Sequence, residues 1–273
     1  MSVVAKAIEL LSHFSVRRPE LGLSQLCRLA KRDKATTYRH LTALEALGFL
    51  EQNPVTKAYR IGPAVLHLAD VREATVPRRD GAMVPLRLLA EQTGETAHVS
   101  VLSGVVLHAM AHSESTRHST RAVIDLQTLP LHATASGICL LAFGSDELRH
   151  AALSNLTPFT PNTPTSEQRL DAAIAAAKAG GFGESDRAFE DEIYSLAAPV
   201  YDRTGEIAGA VAVASVASRI TPDAALAIKK GLTQAAHEIS HNWGGSIPEE
   251  IQTLWQTTLH PTSRDIAQKV PTP

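Results

Sequence analysis

From Val3 to Val16 apolar residues recur at Val4, Ala7, Ile8, Leu11 and Phe14, the spacing of one helical stripe. Pro19 and Gly22 punctuate its end. Leu23, Leu26 and Leu29 with Ala30 repeat that spacing, and Ser24 has the type of an N-cap. A tight turn through Lys31 and Arg32 leads to Asp33, a second N-cap. The helix it opens is expected to bury Tyr38, Leu41, Leu44 and Leu47, and Gly48 ends it. Phe49 to Gln52 and Ala58 to Ile61 then flank a polar tip, Asn53-Pro54-Val55-Thr56-Lys57. Helix, helix and hairpin in this order predict a winged helix-turn-helix over residues 1–62.

Pro63 to Thr75 reads as a connecting helix, broken at Val76-Pro77-Arg78-Arg79, so residues 63–77 are expected to be a linker. Met83 to Thr93 resumes a helical stripe. From Ala97 the period changes to two: Ala97 to Leu102 and Val105 to His112 predict a hairpin turning at Ser103-Gly104. A further strand is expected at Ala122 to Leu126. Ala133 to Phe143 is a small-residue turn entering an apolar helix, and Asp146 to Asn155 a second short one. Thr165 with Gln168 has the form of a capping box for an Ala-rich helix closed by Gly180-Gly181. Strands follow at Ile193 to Tyr201 and Ile207 to Ser215, joined by Asp202-Arg203-Thr204-Gly205, and then a long helix from Pro222 to Trp243. Helices at both ends of an antiparallel sheet make residues 78–245 an α+β domain. Residues 246–273 are expected to be a tail with one weak helical stripe, Ile251, Leu254 and Trp255.

Charge separates the two halves. Residues 1–62 carry ten Lys or Arg against five Asp or Glu, and the remainder carries sixteen against twenty-three. A basic unit of net +5 on an acidic body is the footprint of a DNA-reading domain. The polar face of the second short helix gathers Lys34, Thr36, Thr37, Arg39 and His40, all able to hydrogen-bond bases or phosphates in a major groove. Lys57 at the hairpin tip and Arg60 are expected on the phosphate backbone, where contacts set affinity rather than sequence. Aromatic residues make up only 4% of the chain, which argues against stacking platforms for single strands. Cys27 and Cys139 lie far apart among apolar neighbours, so buried free thiols in a reducing compartment are expected. The sequence shows neither a signal-peptide layout nor a run of membrane-spanning length, and a cytoplasmic location is expected.

Two histidine patterns suggest other chemistry. His237-Glu238-Ile239-Ser240-His241 has the H-E-x-x-H spacing that sets two zinc ligands and a general base on one helical face. The position six residues after His241, where a longer form of the motif has its third ligand, is Ile247. His108 and His112 are expected on one face of a strand, with His98 opposite or beside them and His132 in the next block, a set that could line a metal site or a pocket. No G-x-S-x-G elbow, P-loop or G-x-G-x-x-G occurs.

Four blocks in order carry a resemblance: KATTYRHLTALEALGFLEQ with YRIGP, LLAEQTGETAHVSVL, LPLHATASGICLLAF, and IYSLAAPVYDRTGEIAGAVAVASVASRIT. Together they resemble the IclR family of bacterial transcription regulators from about Val4 to Gly245. The resemblance implies a winged helix-turn-helix, a linker helix and a GAF-like effector domain. It also implies a small organic or aromatic acid as effector, and homodimers or dimers of dimers on palindromic double-stranded operators. By the same resemblance the effector pocket draws on Ala135, Ser136 and Gly137, on Ser185 and Asp186, on Ser195, and on Ala212 and Ala214. Lys31 and Arg32 replace the family's usual glycine and apolar residue in the helix turn, so Arg32 is expected near a phosphate. Alanines at 212 and 214 offer no hydrogen-bond donors, which points to an effector more apolar than a two- or three-carbon acid. The function expected is a ligand-responsive transcription regulator, neither an enzyme nor dependent on a cofactor or metal. A zinc-dependent hydrolase using His237, Glu238 and His241 is one alternative, and a DNA-binding protein whose pocket is filled by its own side chains is another.

Overall fold

The computed structural model describes residues 2–15, 17–75, 77–122 and 128–260. The chain divides into two compact units, Met1–Pro77 and Arg78–Pro273. The strand expected at Ala122 to Leu126 falls almost wholly outside the described residues.

In the first unit, α1 (Val3–Ile8) tightens into a 3-10 turn over Glu9–His13 instead of continuing as one α-helix. The change of pitch makes Leu10 the buried residue and leaves Val4 and Ile8 exposed. Helix α2 (Leu23–Leu29) starts two residues earlier than its Ser24 suggests: Gly22 is the N-cap, and Gln25 Oε1 accepts from the Gly22 N–H at 2.8 Å. The turn that follows needs a left-handed residue, which Lys31 supplies at φ 51°. Asp33 caps α3 (Lys34–Ala46) as its type predicts, with Oδ1 accepting from the Thr36 N–H at 2.8 Å. Gly48, at φ 74°, ends it, and Phe49 donates its N–H back to Leu44 O at 2.9 Å.

The buried stripe of α3 is Thr37, His40, Leu41 and Leu44, not the line of threes through Tyr38 and Leu47. Tyr38 is 53% exposed and Leu47 68%. Each step of three residues turns a side chain back by about 60°, so positions 38 and 47 point about 180° apart and cannot share one face. Strands β1 (Leu50–Gln52) and β2 (Tyr59–Ile61) pair antiparallel, and Leu21 bridges Tyr59 by two 2.9 Å hydrogen bonds. Leu10, Leu21, Leu26, Leu41, Leu44, Leu50 and Tyr59 form this unit's core. Helix α4 (Ala64–Thr75) follows.

The second unit is a six-stranded antiparallel sheet in the order β5-β4-β3-β8-β7-β6. Its strands are β3 (Thr96–Ser103), β4 (Val106–Ser113), β5 (Thr128–Leu129), β6 (Gly183–Asp186), β7 (Ile193–Tyr201) and β8 (Ile207–Val216). The β3–β4 turn is Gly104-Val105, one residue later than the pattern suggests, with Gly104 at φ 58°. One face of the sheet packs on α5 (Arg78–Thr93) and α9 (Pro222–Asn242). Val99, Val211, Val213, Leu196 and Val200 fill that layer. The other face, at β6 to β8, is covered by α6 (Ala135–Phe143), with α7 (Asp146–Leu153) and α8 (Glu167–Gly180) outside it. Ser166, not Thr165, caps α8, and Gly181 ends it at φ 79°.

Residues 246–259 are core rather than tail. Helix α10 (Glu249–Leu259) packs on α8 and α9, and Ile247, Ile251 and Trp255 are buried in the main cluster. Trp255 stacks on Phe182 with ring centroids 5.9 Å apart and donates its indole N–H to Gly181 O at 2.7 Å. Three apolar residues at helical spacing carry enough buried area to outweigh the polar residues around them. Replacing Trp255 with Ala is therefore expected to destabilise the second unit by about 3–5 kcal/mol in urea unfolding of the full chain. An unchanged midpoint would return this segment to a tail.

Candidate nucleic-acid and effector sites

Helix α3 presents Lys34, Ala35, Tyr38, Arg39 and Thr42 to solvent, with Thr36 half-buried beside them. Thr37 and His40 do not belong to this face. Thr37 is fully buried and donates its hydroxyl to Asp33 O at 2.8 Å. His40 is 8% exposed with Nδ1 unpartnered, and its imidazole is held below its ordinary pKa by burial, then by Arg32, Arg39 and Lys6. Both were polar residues that a one-dimensional reading assigns to the wet side. Tyr38 and Thr42 are the reverse case: they sit at i+3 or i+4 and i+7 from Ala35 and Lys34, a spacing legible in the chain once the stripe is set one residue earlier.

Arg32 is not free for a phosphate. Its guanidinium pairs with Glu9 and donates to Lys6 O, and its side chain is only 14% exposed. It ties the end of α1 to the turn between α2 and α3. In the wing, Asn53 Oδ1 accepts from the Val55 and Thr56 N–H groups at 2.9 and 3.1 Å, and Lys57 stands exposed at φ 59°. Arg60 is exposed and engaged across the hairpin with Glu51 at 2.6 Å. An exposed pair of this kind is worth little, so it leaves the guanidinium free to exchange partners.

In the second unit the register collects most of the expected effector residues. Ser185 pairs with Ser195, Ser195 with Ala214, and Ala214 with Thr96; one row on, Gly183, Ala197, Ala212 and His98 lie side by side. Ser185, Ser195, Ala212 and Ala214 thus share the face that α6 covers. Thr134 caps α6, accepting from the Gly137 N–H at 3.1 Å, which sets Ala135, Ser136 and Gly137 in its first turn. Ser185 Oγ donates to Ala133 O at 2.8 Å, joining that turn to the sheet. Asp186 is not brought to this group. It follows Ser185 on the strand and so points to the opposite face, where it is exposed and pairs with Arg187 at 3.0 Å.

Thr96, His98 and Ser100 lie on the same face as the alanines. Their alternation with Ala97, Val99 and Val101 is visible in the sequence, though it does not say which side is covered by helices. Thr96 Oγ1 donates to Ala122 O at 2.7 Å, so Ala122 lies over this face at Thr96. His98 is 6% exposed, and burial, then the neighbouring His112, push its pKa down to about 4.

The histidine cluster does not assemble. An extra residue, Met110, bulges out of β4, so Val99 pairs with Ala111 and Ser100 with Ala109. The bulge inverts parity: His112 lies beside His98, whereas His108 falls on the opposite face. His132 is buried elsewhere, with Nε2 2.9 Å from Thr157 O. On α9, His237 meets the Trp255 ring edge-on at 5.6 Å, and Glu238 accepts from Gln234 at 3.0 Å. Ile239 and Ala236 face the core between them. Among the described residues no group of three or more His, Cys, Asp or Glu side chains could hold a metal ion, and no helix is long and apolar enough to cross a membrane.

Comparison with known proteins identifies both units. The model of the IclR helix-turn-helix domain matches residues 3–54, and that of the bacterial transcriptional regulator IclR C-terminal matches residues 66–241. The chain is 28% identical to the HTH-type transcriptional regulator XynR of Escherichia coli K12, over 88% of this chain and 96% of that protein. A crystal structure of an IclR-type regulator from a Silicibacter species is 39% identical, with a TM-score of 0.83, covering 91% of this chain and 99% of its own. The fold is shared, at 22% identity and a TM-score of 0.72, by an IclR homologue from Microbacterium hydrocarbonoxydans complexed with 4-hydroxybenzoate; it covers 89% of this chain and 99% of its own.

The depressed pKa of His98 has a thermodynamic sign. The unfolded chain protonates this imidazole below about pH 6.5 and the folded protein only near 4, so stability is complete above 6.5 and is lost as pH falls between the two. Relative to His98→Leu, the wild-type protein is expected to lose on the order of 3 kcal/mol between pH 7 and pH 4 in urea unfolding. Parallel pH profiles would assign the loss to other groups.

Proposed function

Because the chain belongs to the IclR family of bacterial transcriptional regulators, we propose that it reads a palindromic operator through residues 1–62 and is switched by an effector bound in the domain that follows residue 77. Proteins of this family regulate transcription by binding DNA, and their C-terminal domain takes a small molecule; they are not enzymes. The observation that carries the reading is the exposed outer face of α3, with Lys34 and Arg39 beside Thr36 in residues 1–62, whose net charge is +5. In the proposed complex these three residues, joined by Tyr38 and Thr42, enter a major groove, while Lys57 and Arg60 contact phosphates. Thr37 and His40 support the helix from within.

Two copies of the chain, as a dimer or a dimer of dimers, set two recognition helices about one helical turn of DNA apart. The effector lies against Ser195, Ala212 and Ala214, under the first turn of α6 at Ala135, Ser136 and Gly137, with Ser185 at its edge. Its binding alters the spacing of the paired helices, and a modest change there suffices to release the operator. An aromatic acid is the effector class we favour, because two alanines on the central strand β8 give an apolar floor. The 4-hydroxybenzoate complex of a protein with this fold makes that compound a natural probe. A bacterial cytoplasm, where the operator lies, is the location this function requires.

Fluorescence titration against the DNA flanking the protein's own gene, at two salt concentrations, tests the reading. Tight binding that survives competitor DNA and weakens with salt is expected. Absence of binding even at low salt would overturn it. Replacing Arg39 with Ala is expected to weaken specific binding by about 1–3 kcal/mol if it contacts a base, with relaxed preference at that position. A uniform loss across sequences, with a shallower salt slope, would place Arg39 on a phosphate instead.

A further inference from the structure

His98 sits mid-sheet on β3, nine-tenths buried, and its Nδ1 has no hydrogen-bond partner. Beside it on the same face are His112 on β4 and Ala212 on β8, with Ala197 beyond, while Ala214 and Ser195 occupy the next row. Three neighbouring hydroxyls of that face are satisfied within the protein. Thr96 donates to Ala122 O at 2.7 Å, Ser100 to Ala210 O at 3.1 Å, and Ser185 to Ala133 O at 2.8 Å. Ser136 Oγ, in the first turn of α6, is a second buried atom without a partner. A buried, unpaired imidazole nitrogen lowers the stability of the protein that carries it, and native structures keep few such atoms.

We propose that His98 is a specificity-determining residue of the effector site, hydrogen-bonding a neutral polar substituent, a hydroxyl or a carbonyl, on an aromatic acid whose ring lies over Ala197, Ala212 and Ala214. The proposal rests on the reading of the second unit as an effector domain. Burial and His112 keep the imidazole neutral at neutral pH, so it offers one donor and one acceptor and no charge. A ligand carboxylate can engage only the N–H of such a group, whereas a phenolic hydroxyl can use either nitrogen. The alanine floor supplies apolar contact and no competing donor. A ligand with the substituent completes a hydrogen bond that the protein by itself lacks, and a ligand without it leaves the nitrogen unpaired. That asymmetry is what lets a site reject an analogue missing one hydroxyl.

The test compares benzoate, the three hydroxybenzoate isomers and pyruvate, by calorimetry, thermal shift and their effect on operator binding, on the full-length wild-type protein, His98→Leu and His98→Gln. Wild type is expected to bind one hydroxybenzoate isomer at least tenfold more tightly than benzoate. His98→Leu should bind the two alike, and should melt higher than wild type without ligand, because it removes an unpaired polar group and breaks no bond to its Nδ1. His98→Gln, which keeps a donor and an acceptor, should recover part of the preference. A preference that persists in His98→Leu, or a wild type that binds benzoate as well as every isomer, overturns the role of His98 and leaves the effector domain standing. A response to pyruvate alone overturns the ligand class as well. No response to any of these acids, together with operator binding that none of them alters, overturns the effector reading itself.

Discussion

The seat of α6 in the second unit is set by two places where backbone meets backbone with no room for a side chain. A Cβ on Gly137 would lie 2.3 Å from Leu131 O, and one on Gly183 would lie 2.2 Å from Ala135 O. The first turn of α6 is therefore held between the 130–134 loop on one side and strand β6 on the other. Neither glycine adopts a left-handed conformation; both are needed for closeness alone. Because α6 is seated this tightly, Ser136 and the covered sheet face keep a fixed relation, and the Ser185 hydroxyl reaches Ala133 O to lock it.

Much of this architecture is legible in the sequence, and the failures have specific causes. Caps and turns are legible to within a residue or two because their signals are local: Asp33, Gly48, Gly181 and the Asp202–Gly205 turn act where their residue types indicate, whereas Ser24, Thr165 and Ser103-Gly104 lie one or two residues from the true positions. Stripe phase reads less well. In α3 the apolar line of threes drifts around the helix and leaves Thr37 and His40 on the wet side, whereas packing places them inside. Polarity alone does not reveal this, since a threonine hydroxyl can be satisfied by its own helix, as the bond to Asp33 O does here.

Strand parity is the second limit. One inserted residue, Met110, turns His108 away from His112, and no composition rule announces a bulge. Arg79 donates to the Met110 carbonyl at 2.8 Å, so the irregularity has a partner far away in the chain. Asp186 fails for the complementary reason: the resemblance names a segment, whereas a strand shows alternate residues to opposite faces. The same period-two argument sets His98 beside Ala212, where the histidine pattern by itself offers only a metal site or a pocket. Trp255 fails differently again, because a short helical stripe amid Thr and Gln shows its worth only when Phe182 and Gly181 are beside it.

The sheet's central pairing sets an order of events during synthesis. Thr96 on β3 pairs with Ala214 on β8, so the middle of the sheet cannot form until more than a hundred further residues have left the ribosome, and its core closes only with Trp255. The first unit is complete by Pro77, from contacts that are short in sequence. At about 5–20 residues per second, the unit proposed to read DNA is finished roughly 10–40 seconds before its regulator. Each newly made chain thus passes through an interval in which the reader exists and the sensor does not.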